Sequence, residues 1–351
     1  MKLLSIVIPT YNMQDYLQKC LDSLIVPQHQ LSLFEAIVVN DGSEDGSSAI
    51  AHEYQERYPG TFRVIDKENG NYGSCVNRGL AEATGKYIRV LDADDYFDTE
   101  RFSEYLTALS RLNEDVDIVL NDFSTVDGDG KIIEKKVHDI VPNEIFQFSD
   151  RPVVTSQYNI HNLSYRTELL RKIGYRSTEG IYYTDIQWCY IPMHAVNSCI
   201  YFPIDLYKYL LGREGQSMDY NVLTRNITHH IAISESLIYY YNKFPVEFKT
   251  GYIYRLINNE TRVLSQTIYK LCLIEQRPKD FSRKELKEYD SILKKERPEL
   301  YKYLGDNIVL NGLPFHYIRF WRRTGLRLPL ALLRNAVRRI RYGNWRIHYG
   351  K

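Results

Sequence analysis

Through the first 120 residues, short apolar runs alternate with stretches of helical period. "LLSIVIPTYN" reads as a buried strand running into a polar turn. Tyr16, Leu17, Cys20, Leu21 and Leu24 then recur at the spacing of one helix face. The pattern repeats: "FEAIVVNDGS" is a strand and turn, "SSAIAHEYQERY" a helix, "FRVIDKENG" a strand, "GSCVNRGLAEA" a short helix and "KYIRVLDADD" a fourth strand. Thr99 is expected to cap a helix that places Phe102, Tyr105, Leu106, Leu109 and Leu112 on one face. "VDIVLND" follows as another strand. Strand–helix alternation predicts a mostly parallel sheet covered by helices on both faces. In such sheets ligands bind beyond the carboxyl ends of the strands. The turns "PTYN", "NDGS", "ENGN" and "DADD" therefore belong on one rim.

Between about residues 125 and 215 the pattern is less regular, and from "VLTRNITHHIAISESLIYYYNKF" onward it is helical. Residues 250–276 and 282–304 are expected to form two further helices. The length, 351 residues, suits roughly two domains of ~150 residues. We divide the chain into residues 1–215, with halves 1–100 and 101–215, and a helical extension over 216–351.

Composition changes this picture in two places. Net charge is only +1, but residues 307–351 carry nine Arg and one Lys with no acidic residue. That asymmetry points to phosphate-rich partners, and a membrane surface suits it better than nucleic acid, because no nucleic-acid motif accompanies it. Leu332, Leu333, Ala336, Val337 and Ile340 lie opposite Arg334, Arg338 and Arg341, a basic amphipathic helix. Trp321 and Trp345 fit an interfacial role for residues 314–346, the alternative being a helix docked on the protein or an oligomer contact. The five cysteines, Cys20, Cys75, Cys189, Cys199 and Cys272, are far apart and never spaced CxxC. This argues against a disulfide framework or zinc site and for a reducing compartment. The first apolar run is too short for a secretory signal and no run is long enough to span a membrane. The expected location is the cytoplasm, with the tail as a route to the cytoplasmic membrane face.

The turns also carry the candidate chemistry. Asp41 could accept a hydrogen bond from a base or ribose, or serve turn geometry alone. Tyr11 offers a stacking surface. "ENGNYG" is neither GxGxxG nor a P-loop, so a dinucleotide or NTPase site is not supported. Asn77 could reach a nucleotide or cap a turn. Asp92 and Asp94, spaced i, i+2 at a strand end, suit a hard divalent ion such as Mg²⁺ or Mn²⁺ whose other ligands are water and phosphate. Such an ion would stabilise a leaving pyrophosphate electrostatically. Asp98 suits the start of the following helix.

Taken in order, "SIVIPTYN", "VVNDGSEDGS", "ENGNYGSCVNRGL" and "GKYIRVLDADDYFD" resemble the inverting family 2 glycosyltransferases of the GT-A fold, of the type that builds bacterial surface polysaccharide. The resemblance is dense over 5–98, looser to about 215 and absent beyond. It implies a nucleotide-sugar donor, a UDP-sugar foremost, with Pro9, Thr10, Tyr11 and Asp41 holding the base and Asn69, Gly70 and Asn77 around the nucleotide. It places Asp92 near the ribose and Asp94 on the metal, with Asp92 and Asp95 as further metal candidates. In "IYYTDIQWCY" it implies Asp185 as general base toward a glycan or lipid-linked acceptor. Trp188 would stack on an acceptor sugar or simply pack, and Arg213 in "YLLGREGQSMD" would contact the pyrophosphate. Two positions depart from the family pattern: Thr184 stands where a Glu is usual, and Val76 where many members have Arg. The competing readings are a nucleotidyltransferase, for which "PTYNMQDYLQK" lacks the Gly-rich basic loop, and a non-catalytic nucleotide-sugar binding protein. A dimer or higher oligomer is compatible with the sequence.

Overall fold

A computed structural model describes residues 2–147, 158–212, 222, 225–243, 252–274, 283–309 and 315–327. Internal contacts divide the chain into two compact units, Met1–Gln216 with Pro245–Arg255, and Ser217–Phe244 with Leu256–Lys351. The first unit holds a ten-stranded sheet: β1 (Leu4–Thr10), β2 (Phe34–Asn40), β3 (Phe62–Asp66), β4 (Tyr87–Val90), β5 (Tyr96–Phe97), β6 (Ile118–Val126), β7 (Ile132–Lys136), β8 (Ile145–Gln147), β9 (Leu163–Arg166) and β10 (Ser198–Leu210). Strand order is β3-β2-β1-β4-β9-β6-β10-β5, with β7 paired to β6 and β8 to β10. The first four strands are mutually parallel, as the alternation predicts. The irregular stretch supplies the exception: β9 runs antiparallel to both β4 and β6. Two reversals restore direction, so β6 and β10, parallel to each other, end on the same rim as β1–β4.

Both faces are covered. Leu4, Ile6 and Ile8 of β1 pack with Phe34, Ala36 and Val38 of β2. Against them lie Leu17, Cys20 and Leu21 of α1 (Gln14–Asp22) and Phe102, Tyr105, Leu106 and Leu109 of α5 (Thr99–Ser110). Each such side chain taken fully out of water contributes about 1.5–3 kcal/mol. On the opposite face α4 (Asn71–Glu82) lies so close to β1 that a Cβ at Gly79 would come within 2.3 Å of Val7 Cγ1. Short α2 (Gln28–Leu31) and α3 (Ser47–Arg57) complete the early layer, and α6 (Thr167–Lys172) follows β9. The α5 cap sits one residue before the expected Thr99: Asp98 accepts from the Arg101 N–H, while Thr99 donates to Ser23 O. All five cysteines are buried.

The second unit is helical, with helices that include Ile227–Lys243, Arg283–Glu296, Pro298–Asn307 and Tyr317–Thr324. The helix expected over 282–304 is broken at Arg297, because Pro298 has no N–H to continue the ladder and starts a new first turn instead. Ile227, Ile268, Tyr289, Leu293, Leu304, Ile318 and Trp321 share one core. Trp321, expected at a membrane interface, is 5% exposed and packs edge-on against Tyr269, so its ring is committed to the protein. The same helix pairs Arg319 with Asp306 and Arg322 with Asp290. The tail beyond residue 327, with Trp345 and the Arg334–Arg341 face, lies outside the described residues, as does Arg213. Among the described residues no helix is long and apolar enough to cross a membrane.

Candidate active site

Backbone and short side chains sew the four rim turns together. The Asp41 N–H donates to Thr10 O, the Asn12 N–H to Ser43 Oγ, and the Glu44 N–H to Asn12 Oδ1. Pro9 and Thr10 are buried at the end of β1, whereas Tyr11 beyond them is 46% exposed. Asp41 is buried, and its Oδ1 accepts from the Gly70 N–H at 2.9 Å and from Lys67 Nζ. Lys67 also donates to Ser74 Oγ, so the second and third turns share one charged tie. Asn69 is exposed at the tip. Lys67 escaped the sequence reading because nothing local marks which carboxylate a loop lysine will meet.

The three aspartates after β4 differ in environment. Asp95 is buried; Tyr207 donates to its Oδ2 at 2.7 Å and the Leu210 N–H to its Oδ1 at 2.8 Å. Burial, then the charges of Asp94 and Asp92, push its carboxyl well above the usual range. It ties the turn to the end of β10. Asp92, partly buried, accepts from the Tyr72 hydroxyl at 2.6 Å. Asp94 is also partly buried. Potential ligand atoms of Asp92, Asp95 and His161 lie within 4.8 Å of one another, a trio that includes His161 and omits Asp94. The turn carrying His161 is held by Arg89, fully buried on β4, which donates to His161 O at 2.9 Å and Asn121 Oδ1 at 3.1 Å. Arg89 lies over the rings of Phe97 and Tyr105. Its signal was in view: an arginine within the apolar run "KYIRV" demands acceptors inside the fold. The His161 ring stacks on Tyr209 at 4.5 Å, its Nδ1 is buried without a partner, and burial, then Arg89, lower its pKa to about 3.

Asp185 comes to this rim from far along the chain. It opens α7 (Asp185–Tyr190), and the preceding loop is fastened to α4. Asn77 donates to Ser177 O and Glu179 Oε1, each at 2.9 Å, and accepts from the Ser177 N–H at 2.8 Å. The Gly180 N–H donates to Gly70 O. Gly73 leaves no room: a Cβ there would meet Thr178 O at 2.2 Å. Gln187 on α7 completes the clamp by accepting from the Thr178 N–H and donating to Thr178 Oγ1. Asn77, expected around the nucleotide, thus has both amide atoms engaged by the loop. Tyr183 enters α7 with φ 67°, a left-handed conformation that a tyrosine rarely adopts. Desolvation pushes the Asp185 carboxyl upward, against the pull of the backbone N–H groups of Ile186 and Asp185.

Of the two readings offered for Trp188, stacking on a sugar or packing, the geometry matches packing. Trp188 is 1% exposed, edge-on to Tyr165 and Tyr175, so no ring face is open to stack on a sugar. It is a packed aromatic that anchors α7.

Residues 5–174 match the model for "Glycosyl transferase family 2". Over that stretch the chain is similar to the family 2 glycosyltransferases. The chain is 40% identical over 117 residues to the uncharacterized glycosyltransferase EpsJ of Bacillus subtilis, covering 33% of each chain. It is 35% identical over 115 residues to the minor teichoic acid biosynthesis protein GgaB of the same organism, covering 33% of this chain and 13% of that one. The chain thus spans a third or less of the length of these curated relatives. The crystal structure of S. aureus TarS 1-349 in complex with UDP-GlcNAc superposes with a TM-score of 0.54 at 17% identity, covering 93% of both chains. The fold is therefore of the GT-A type.

Proposed function

We propose that the protein is an inverting glycosyltransferase that moves a sugar from a nucleotide diphosphate, foremost UDP, to a glycan or lipid-linked acceptor in surface polysaccharide synthesis. The observation that carries this is the meeting at one end of α4 of two parts: the Asp92 carboxylate, bonded by the Tyr72 hydroxyl, and the clamped 177–180 loop that leads to Asp185. A raised carboxyl at Asp185 suits a general base, because proton transfer is most effective when the acceptor's pKa approaches the working pH. Asp185 takes the acceptor hydroxyl's proton as that oxygen attacks the anomeric carbon opposite the departing nucleoside diphosphate. One base and one displacement invert the anomeric centre. Pro9, Thr10, Tyr11, Asp41, Asn69 and Gly70 form the nucleotide end of this reading, and Arg213 its pyrophosphate contact.

The donor set fits a divalent ion. Asp92 and Asp95 offer hard oxygens close together, and the partnerless His161 Nδ1 adds an imidazole that Mn²⁺ accepts more readily than Mg²⁺. Asp94, outside that trio, is the ligand the resemblance implies. Bound there, the ion would supply charge neutralisation of the leaving pyrophosphate. The UDP-GlcNAc held by the TarS structure and the teichoic acid role in GgaB's name support donor and pathway. We assign 1–215 to transfer and 216–351 to a helical extension, and place the protein in the cytoplasm with its basic tail at the membrane face. Thermal shift and UDP release across UDP-sugars, with and without Mn²⁺, test the reading. Binding without release across an acceptor panel would replace it with a non-catalytic role.

A further inference from the structure

We propose that Tyr72 is a positioning residue of the transfer site, its phenol fixing the Asp92 carboxylate on the side of the donor while flanking the base, Asp185. This rests on the transferase reading above. Tyr72 lies in the first turn of α4, directly after Asn71, whose φ of 65° turns the chain into the helix. Its hydroxyl donates to Asp92 Oδ1 at 2.6 Å, a short charge-assisted bond. The same end of α4 is the surface on which the 177–180 loop is clamped, through Gly70 before the helix, Gly73 in its first turn and Asn77 in its second. Tyr72 therefore occupies the seam between the turn that presents Asp92 and the segment that presents Asp185. A phenol ordinarily titrates near pH ~10, so at neutral pH it is a neutral donor. A neutral donor here does what a cation could not: it orients one carboxylate without quenching the negative charge on either. Asp95 shows the same device one turn away, where the Tyr207 hydroxyl holds the carboxylate and accepts from the Asp92 N–H.

The test is a double-mutant cycle on the full chain with Tyr72→Phe, Asp92→Asn and the pair, reading UDP-sugar Kd, kcat, KM and melting temperature. Removing a partner that orients a donor-side carboxylate is expected to lower kcat/KM about 10–100-fold. The ring is retained and one bond to a carboxylate is lost, so melting should fall only modestly, and in the Asp92→Asn background Tyr72→Phe should add nothing to the loss of kcat/KM. Turnover within twofold of wild type, or an equal further loss on the Asp92→Asn background, overturns the inference. A wild-type chain that neither binds UDP-sugars nor releases UDP overturns the transferase reading and this inference with it.

Discussion

The turns after β1–β4 are held by hydrogen bonds to neighbouring turns, whereas the segment leading to Asp185 is held by contacts such as those of Asn77 with Ser177 and Glu179, 100 and 102 positions away. The first arrangement follows from the sheet itself: parallel strands in register deliver their ends to one rim, and side chains only refine the result. In the second, no strand delivers Asp185. One amide, one missing Cβ and one glutamine place it, and a strained Tyr183 aims it. Placement by the sheet tolerates change at single residues; placement by a clamp does not. The proposed donor and acceptor functions should therefore fail differently under mutation.

The largest separation is expected at the proposed base. Asp185→Asn keeps the shape and the N-terminal position on α7 but removes the proton acceptor, so kcat should fall by roughly 10²–10⁴. The Kd for UDP-sugar, measured by calorimetry, should stay within about twofold. A comparable loss of donor affinity would show that the two regions are one binding unit. The acid limb of the pH profile checks the same group. Only the ionised form acts as base, and desolvation raises the carboxyl, so kcat should fall as pH drops through a value above the ~3.9 of an ordinary Asp. Between pH 4 and 8 that limb should vanish from the residual activity of Asp185→Asn.

A smaller but more telling effect is expected from the clamp. Asn77→Ala removes two donated bonds and one accepted bond, leaving the Ser177 N–H and carbonyl to find other partners. Each buried group left unmet costs about 1–3 kcal/mol. Melting temperature should drop and kcat should fall below wild type but stay above Asp185→Asn. Donor Kd should barely move, because the Asp41–Lys67–Gly70 tie is untouched. If Asn77→Ala weakens UDP-sugar binding tenfold with kcat intact, then Asn77 belongs to the nucleotide after all.

This contrast also marks what the sequence discloses. Apolar runs that end in polar turns reveal strands β1–β4 and their common rim, because both signals are local and the parallel rule does the rest. Asp98 at a helix start and the buried faces of α1 and α5 are legible for the same reason. The reversal at β9 is not, since four residues, "LSYR", carry no record of direction. Tyr72, Lys67, Tyr207 and His161 look ordinary in sequence; their meaning lies in partners brought by the fold. The tyrosine that donates to Asp95 is 112 positions from it. Asp92, Asp94 and Asp95 are adjacent in sequence yet differ in burial, because only Asp95 turns inward toward the end of β10.

The smallest expected effect concerns the aromatic residue three positions past the proposed base. Trp188→Phe keeps a ring between Tyr165 and Tyr175 but leaves space where the indole was. The cost should be about 0.5–3 kcal/mol, read as a lower denaturant midpoint at unchanged slope. Acceptor KM should be unaffected, because a residue 1% exposed offers no face to a sugar. Its indole N–H, buried without a partner, already forgoes a hydrogen bond, which trims the penalty of losing it. The opposite result, a raised acceptor KM at unchanged stability, would require α7 to open and present the indole. In that event the clamp on residues 177–180 would be a hinge rather than a fixture, and the contrast between a region set by the sheet and one set by side chains would become one between a fixed half and a moving half.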